Sequence, residues 1–132
     1  MLMALFAFNE GAFVTTNYSE TIGEPWVAPP EADNITNPQT VDEYTLEDGK
    51  DIYTTNCMSC HGEKGDADTP VAAALDPKPK NFSEPSFLNQ SDGAIYWKVT
   101  TGRGLMVSFK EVLSEEEIWS TIVYIKSLAK GG

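Results

Sequence analysis

Residues 57–61 read CMSCH, and this run holds both cysteines and the only histidine of a 132-residue chain. Three soft side chains in one short loop admit a small number of chemistries, and the rest of the inventory separates them. A structural zinc site takes four ligands from Cys, His or acids. Two cysteines and one histidine fall one short of that unless a carboxylate joins them. A thioredoxin-like redox pair sits beside a strand in a βαβ context, whereas TLEDGKDIYTTN, directly before the loop, has helical spacing. A disulfide across two intervening residues closes too small a loop to restrain the unfolded chain much.

A fourth reading uses all three side chains. Thiols spaced by two residues can each form a thioether with one edge of a haem, while the adjacent imidazole turns onto the iron. Cys57 and Cys60 are then the attachment points and His61 an axial ligand. The opposite face of the iron needs a partner, and no second histidine exists. Of the four methionines, Met58 lies inside the attachment loop, and Met1 and Met3 lie on the N-terminal segment. Met106, after a glycine-bearing turn and before the last helical pattern, is the candidate for the other axial position.

Composition bounds the partners. Hydrophobic residues make up 41% of the chain and charged residues 22%, an ordinary balance for one folded domain. The formal charge is −11, and residues 1–51 carry ten acids against Lys50 alone. Such a surface repels phosphate backbones and steers toward basic protein patches, so nucleic acid is not an expected partner. No run of eighteen apolar residues is present. The stretch MLMALFAF is apolar but eight residues long, without the preceding positive charges of a secretory signal.

The chain divides near residue 44. Residues 1–43 form an acidic, proline-containing arm with no sustained periodicity, in which Trp26 is the apolar anchor. Residues 44–132 carry the helical patterns. Thr45 is placed to cap a first helix with Leu46, Gly49, Ile52 and Tyr53 on one face. Gly62 to Gln90 reads mostly as loop, with VAAAL as one helical turn. Ser91 caps a short helix carrying Ile95, Tyr96 and Val99. Ser114 and Glu117 have the spacing of a capping box at the head of a final helix striped by Ile118, Ile122, Ile125 and Ala129.

Residues 44–130 resemble a class I c-type cytochrome. The resemblance is carried by GKDIYTTNCMSCHG, TPVAAAL, PKNF, TTGRGLMVSF and IWSTIVYIKSL. It implies a small all-α domain around one covalent haem c, with an extended, mostly irregular arm added in front. It also implies that Gly49 lets the first and last helices approach, with Trp119, Tyr124 and Tyr53 packed nearby. Pro70 matches the proline whose carbonyl accepts from the second nitrogen of the axial histidine. Asn81, Tyr96, Trp97 and Arg103 match positions that hold haem propionates. A proline usually follows the axial methionine in this family, and Val107 stands there instead.

Two axial ligands leave no open coordination position, so the expected role is one-electron transfer rather than catalysis at the iron. The expected partners are redox proteins, with a quinol-oxidising complex as donor and a terminal oxidase or another cytochrome as acceptor. The expected place is the periplasm or the extracytoplasmic face of a membrane. The arm gives the layout of a mono-haem subunit of a membrane complex, such as that of alternative complex III; equally, it can wrap its own domain. The alternative is a haem-based gas sensor in which Met106 is a labile ligand.

Overall fold

The computed structural model describes residues 24–131. MLMALFAF, Met1 and Met3 lie outside the described residues. Six α-helices follow one another: α1 Glu43–Asn56, α2 Met58–His61, α3 Pro70–Ala73, α4 Pro85–Leu88, α5 Asp92–Thr101 and α6 Glu115–Ala129. A 3-10 turn at Pro30–Asn34 precedes them. Among the described residues there is no strand, only an isolated antiparallel bridge between Arg103 and Met106. The fold is therefore all-α, as expected.

Helix α1 starts three residues earlier than the Thr45 cap would place it. Asp42 is the cap, and its carboxylate accepts from the Thr45 N–H at 2.8 Å. The physical reason is that Thr45 is buried, 3% exposed, and so lies within the first turn rather than ahead of it. Helix α6 has the expected head: Ser114 accepts from the Glu117 N–H while Glu117 accepts from the Ser114 N–H, at 3.1 and 2.7 Å. Helix α5 is capped by Ser91, which accepts from the Ala94 N–H at 3.0 Å. The Gly62–Gln90 segment contains α3, the expected turn, and also α4, which was not expected. Pro85 opens α4 at the one end of a helix where a missing N–H costs nothing.

The core is built where α1 crosses α6. Trp119, Tyr53, Ile118 and Ile122 are its largest fully buried side chains, joined by Phe82, Phe87, Ile95, Val99 and Ile125. The helices meet at Gly49, where an added Cβ would lie 2.1 Å from the Ser120 carbonyl oxygen and 2.9 Å from Tyr124 Cβ. No larger side chain permits that approach. No helix among the described residues is long and apolar enough to cross a membrane.

Residues 24–42 lie against this core. Ala32, in the 3-10 turn, is 1% exposed. Its seat is Gly93 on α5, where a Cβ would lie 1.9 Å from the Ala32 carbonyl oxygen and 2.6 Å from that of Ile35. Ser91 Oγ donates to the Asp33 carboxylate at 2.5 Å, and the Asn37 amide donates to the Trp119 carbonyl at 3.4 Å.

Candidate functional site

Helix α1 carries the chain into the cysteine loop and stops at Cys57. The Cys57 N–H still donates to Tyr53 O at 2.8 Å, but its φ and ψ of −124° and −34° leave the helix. Its carbonyl then accepts from both Cys60 N and His61 N, at 3.2 and 2.9 Å, so both thiols and the imidazole occupy one tight turn. Gly62 follows at φ 86°, a conformation that glycine adopts readily. The Tyr53 hydroxyl donates to the Gly62 carbonyl at 2.6 Å, and Ala67 N donates to His61 O at 2.8 Å. The turn is thus pinned from α1 on one side and from the returning loop on the other.

Both thiols are free and half-buried. Burial, with Cys60 adding to it, pushes the Cys57 thiol up to about 12. A redox-active cysteine needs the opposite shift, toward thiolate at neutral pH, so the thioredoxin-like reading loses its chemistry. Among the described residues no three of His, Cys, Asp and Glu converge in a group that could hold a metal ion, which removes the zinc reading as well.

The imidazole of His61 lies on Phe82, with ring centres 4.9 Å apart and planes 22° from parallel. Phe82 is in turn backed by Phe87 at 4.5 Å and held by its N–H to Gly65 O at 2.8 Å. Burial lowers the basicity of His61, keeping the ring neutral, the form that binds metal. Its Nδ1 is buried without a hydrogen-bond partner. The expected bond to the Pro70 carbonyl is not made. Pro70 instead opens α3, capped by Thr69 Oγ1 accepting from Ala72 N at 3.0 Å, while the imidazole is directed by its stacking on Phe82.

Met106 sits in a turn that begins at Gly102 (φ 68°) and passes through Gly104 (φ 56°). Arg103 N donates to Met106 O at 2.9 Å and Met106 N to Arg103 O at 3.0 Å. Leu105 and Val107, on either side, are 70% and 58% exposed, whereas Met106 packs against the core. Phe109 N to Val99 O at 3.0 Å and Ser108 Oγ to Thr100 O at 2.5 Å fasten the far end of the loop to α5.

The residues expected at the propionates have partners within the protein. Asn81 accepts from Ser83 N and Ser83 Oγ, at 2.9 and 2.7 Å, shaping its own turn before α4. Trp97 meets Trp26 of the arm edge to face at 6.5 Å. Two guanidinium nitrogens of Arg103 donate to the Glu24 carbonyl at 3.3 Å each. Tyr96 stacks on Trp119 at 4.1 Å, 14° from parallel. The aromatic wall behind His61, Phe82, was not singled out by sequence reasoning, although PKNF marked its surroundings. Trp119 was read as helix packing alone, yet its indole N–H is buried without an acceptor.

These residues fit a covalent haem. Among the described residues, the buried side-chain polar atoms left unpaired are His61 Nδ1 and Trp119 Nε1. Burying such groups without partners is costly, and both belong to the aromatic assembly that the cysteine turn adjoins. A groove of about 850 Å³ on the other side of that turn, lined by Lys50, Met58, Lys64 and Tyr124, contains neither His61 nor Met106.

An all-α domain with two free thiols and a neutral imidazole in one turn defines a class I, mono-haem c-type cytochrome domain, with haem c as its covalent cofactor. Residues 45–125 match the family described as cytochrome c oxidase, cbb3-type, subunit III, and the chain belongs to that family. It is 30% identical over 97 residues to the cbb3-type cytochrome c oxidase subunit CcoP of Azospirillum brasilense, covering 72% of this chain but 32% of that protein. It is 32% identical over 88 residues to cytochrome c6 of Leptolyngbya boryana, covering 64% of this chain and 93% of that one. The reducing HAO-like protein complex of Kuenenia stuttgartiensis contains a chain of similar fold. There the TM-score is 0.61 at 33% identity, over 69% of this chain and 46% of that one. The chain thus spans about a third of the CcoP relative and nearly all of the c6 relative. Haem-mediated electron transfer is the function that this family membership supports.

Proposed function

We propose that His61 and Met106 are the two axial ligands, with Cys57 and Cys60 bonding the haem edge. The observation that carries this is a buried, neutral imidazole at the end of the turn that holds both free thiols. Met106 supports it as the methionine seated against the core from a separate loop. When bound, the haem supplies an iron that takes up and releases one electron. The protein's part is positional. Tyr53 and Ala67 hold the cysteine turn, Phe82 sets the imidazole plane, and the Arg103–Met106 pair presents the thioether. Ligands on both faces leave geometry little changed between oxidation states, which suits outer-sphere transfer, and a thioether raises the potential.

The chain acts outside the cytoplasm, passing electrons from a quinol-oxidising complex toward a terminal oxidase or another cytochrome. Its relatives among oxidase subunits and carrier cytochromes support that reading. Residues 44–132 are its cytochrome domain and residues 1–43 its arm, the described part of which lies on the domain. The test is redox titration of the native protein and of Met106→Ala. The variant should keep haem attached through both cysteines yet show a lower potential and bind carbon monoxide when reduced. An unaltered potential would reassign the sixth ligand.

A further inference from the structure

The turn that carries Met106 has no proline after the methionine, since Val107 stands there and is exposed. Its internal bonding is one mutual pair of backbone hydrogen bonds between Arg103 and Met106. Gly102 and Gly104, which flank Arg103 at the start of the turn, have positive φ, and glycine lends the backbone none of the stiffness of a proline. What the turn does have is an external tether. Arg103, whose backbone pairs with Met106, donates from two guanidinium nitrogens to the Glu24 carbonyl, 79 residues earlier in the chain.

Glu24 is not a loose end. Two residues on, Trp26 meets Trp97 edge to face, and Lys98 Nζ stands 5.7 Å from the Trp26 ring centre. Lys98 also donates to Gln90 Oε1. Further on, the arm is seated on Gly93 by Ala32 and Ile35, and fixed by Asp33 to Ser91 and by Asn37 to Trp119. These contacts form a continuous path from the core, along residues 37 to 24, to Arg103 and the Met106 turn.

We propose that Arg103 is a positioning residue that fastens the Met106 turn to the N-terminal arm, so that residues 24–37 supply the stiffness a proline after Met106 would otherwise give. The consequence for the iron rests on the assignment of Met106 as axial ligand; the mechanical coupling does not. The arm thereby acts on the redox site without touching it. A tethered turn holds the thioether in place, and an untethered one releases it more often, opening the iron to small ligands.

The test uses the mature haem protein, two variants remote from the turn and one at the tether itself. Trp26→Ala removes the arm's aromatic anchor at a half-buried site. Gly93→Ala puts a methyl into the Ala32 seat while giving α5 a better helix former. Arg103→Lys keeps the charge but loses the two-nitrogen grip on one carbonyl. In all three, the amide hydrogens of Arg103 and Met106 should exchange faster. Carbon monoxide should bind the reduced protein about fivefold to tenfold faster, the population change expected from losing one hydrogen bond of ordinary net strength. Far-ultraviolet dichroism should stay native, and Arg103→Lys should fall between native and Arg103→Ala. Exchange unchanged at both amides in Trp26→Ala and Gly93→Ala would overturn the coupling. Faster exchange with carbon monoxide binding already as fast in the native protein as in Met106→Ala would keep the coupling and overturn the ligand assignment instead.

Discussion

At the scale of single residues, the cysteine turn was legible because its chemistry is written in the inventory. Two cysteines and one histidine have few joint uses, and CMSCH places them one helical turn apart. Tyr53 does work there that spacing alone did not show. Its hydroxyl, held well above the ordinary tyrosine range mainly by burial, stays protonated and donates to Gly62 O at 2.6 Å. Tyr53→Phe removes this donor and leaves Gly62 O with the Gly65 N–H alone, at 3.2 Å, so it should lower unfolding free energy by about 1 kcal/mol in a denaturant titration. A change of a few tenths would show that the bond does not hold the turn. The propionate candidates were less legible. Arg103 and Trp97 have partners in Glu24 and Trp26, more than seventy residues earlier, and no local pattern records such a contact.

At the scale of elements, helix termini were read well where an accepting side chain and its backbone N–H donor lie three residues apart, as at Ser91 and Ser114. The first helix was misplaced because Asp42 and Thr45 are both good caps and burial decides between them. Helix α4 was missed because Gly62–Gln90 was read as mostly loop, and a four-residue helix opened by Pro85 is too short to leave a periodic pattern. The α1–α6 crossing at Gly49 was anticipated through the family resemblance, and the contact distances there bear it out. Gly49→Ala gains helix propensity but drives a methyl to 2.1 Å from Ser120 O. It should therefore destabilise the protein by about 1–3 kcal/mol, the usual cost of overpacking, measured by thermal or chemical unfolding. A more stable variant would mean that the two helices can separate without loss.

At the scale of the whole molecule, the sequence separated an acidic front from a helical back, and the structure shows how residues 24–42 of that front are joined to the back. The join was not readable because much of it is made by backbone carbonyls, those of Glu24, Ala32 and Ile35 meeting Arg103 and Gly93, and carbonyls carry no sequence signature. The net charge of −11 favours encounter with cationic redox partners, an attraction that salt screens. On the proposed assignment, electron transfer depends on bringing two distant segments to one iron, His61 from the cysteine turn and Met106 from a loop forty-five residues later. Proton magnetic resonance of the reduced protein tests that closure most directly, because a methyl group held over a porphyrin face is shifted far upfield by the ring current. One methionine methyl signal should appear in that region and vanish in Met106→Leu; its survival in the variant, or its absence from the native protein, would contradict the assignment.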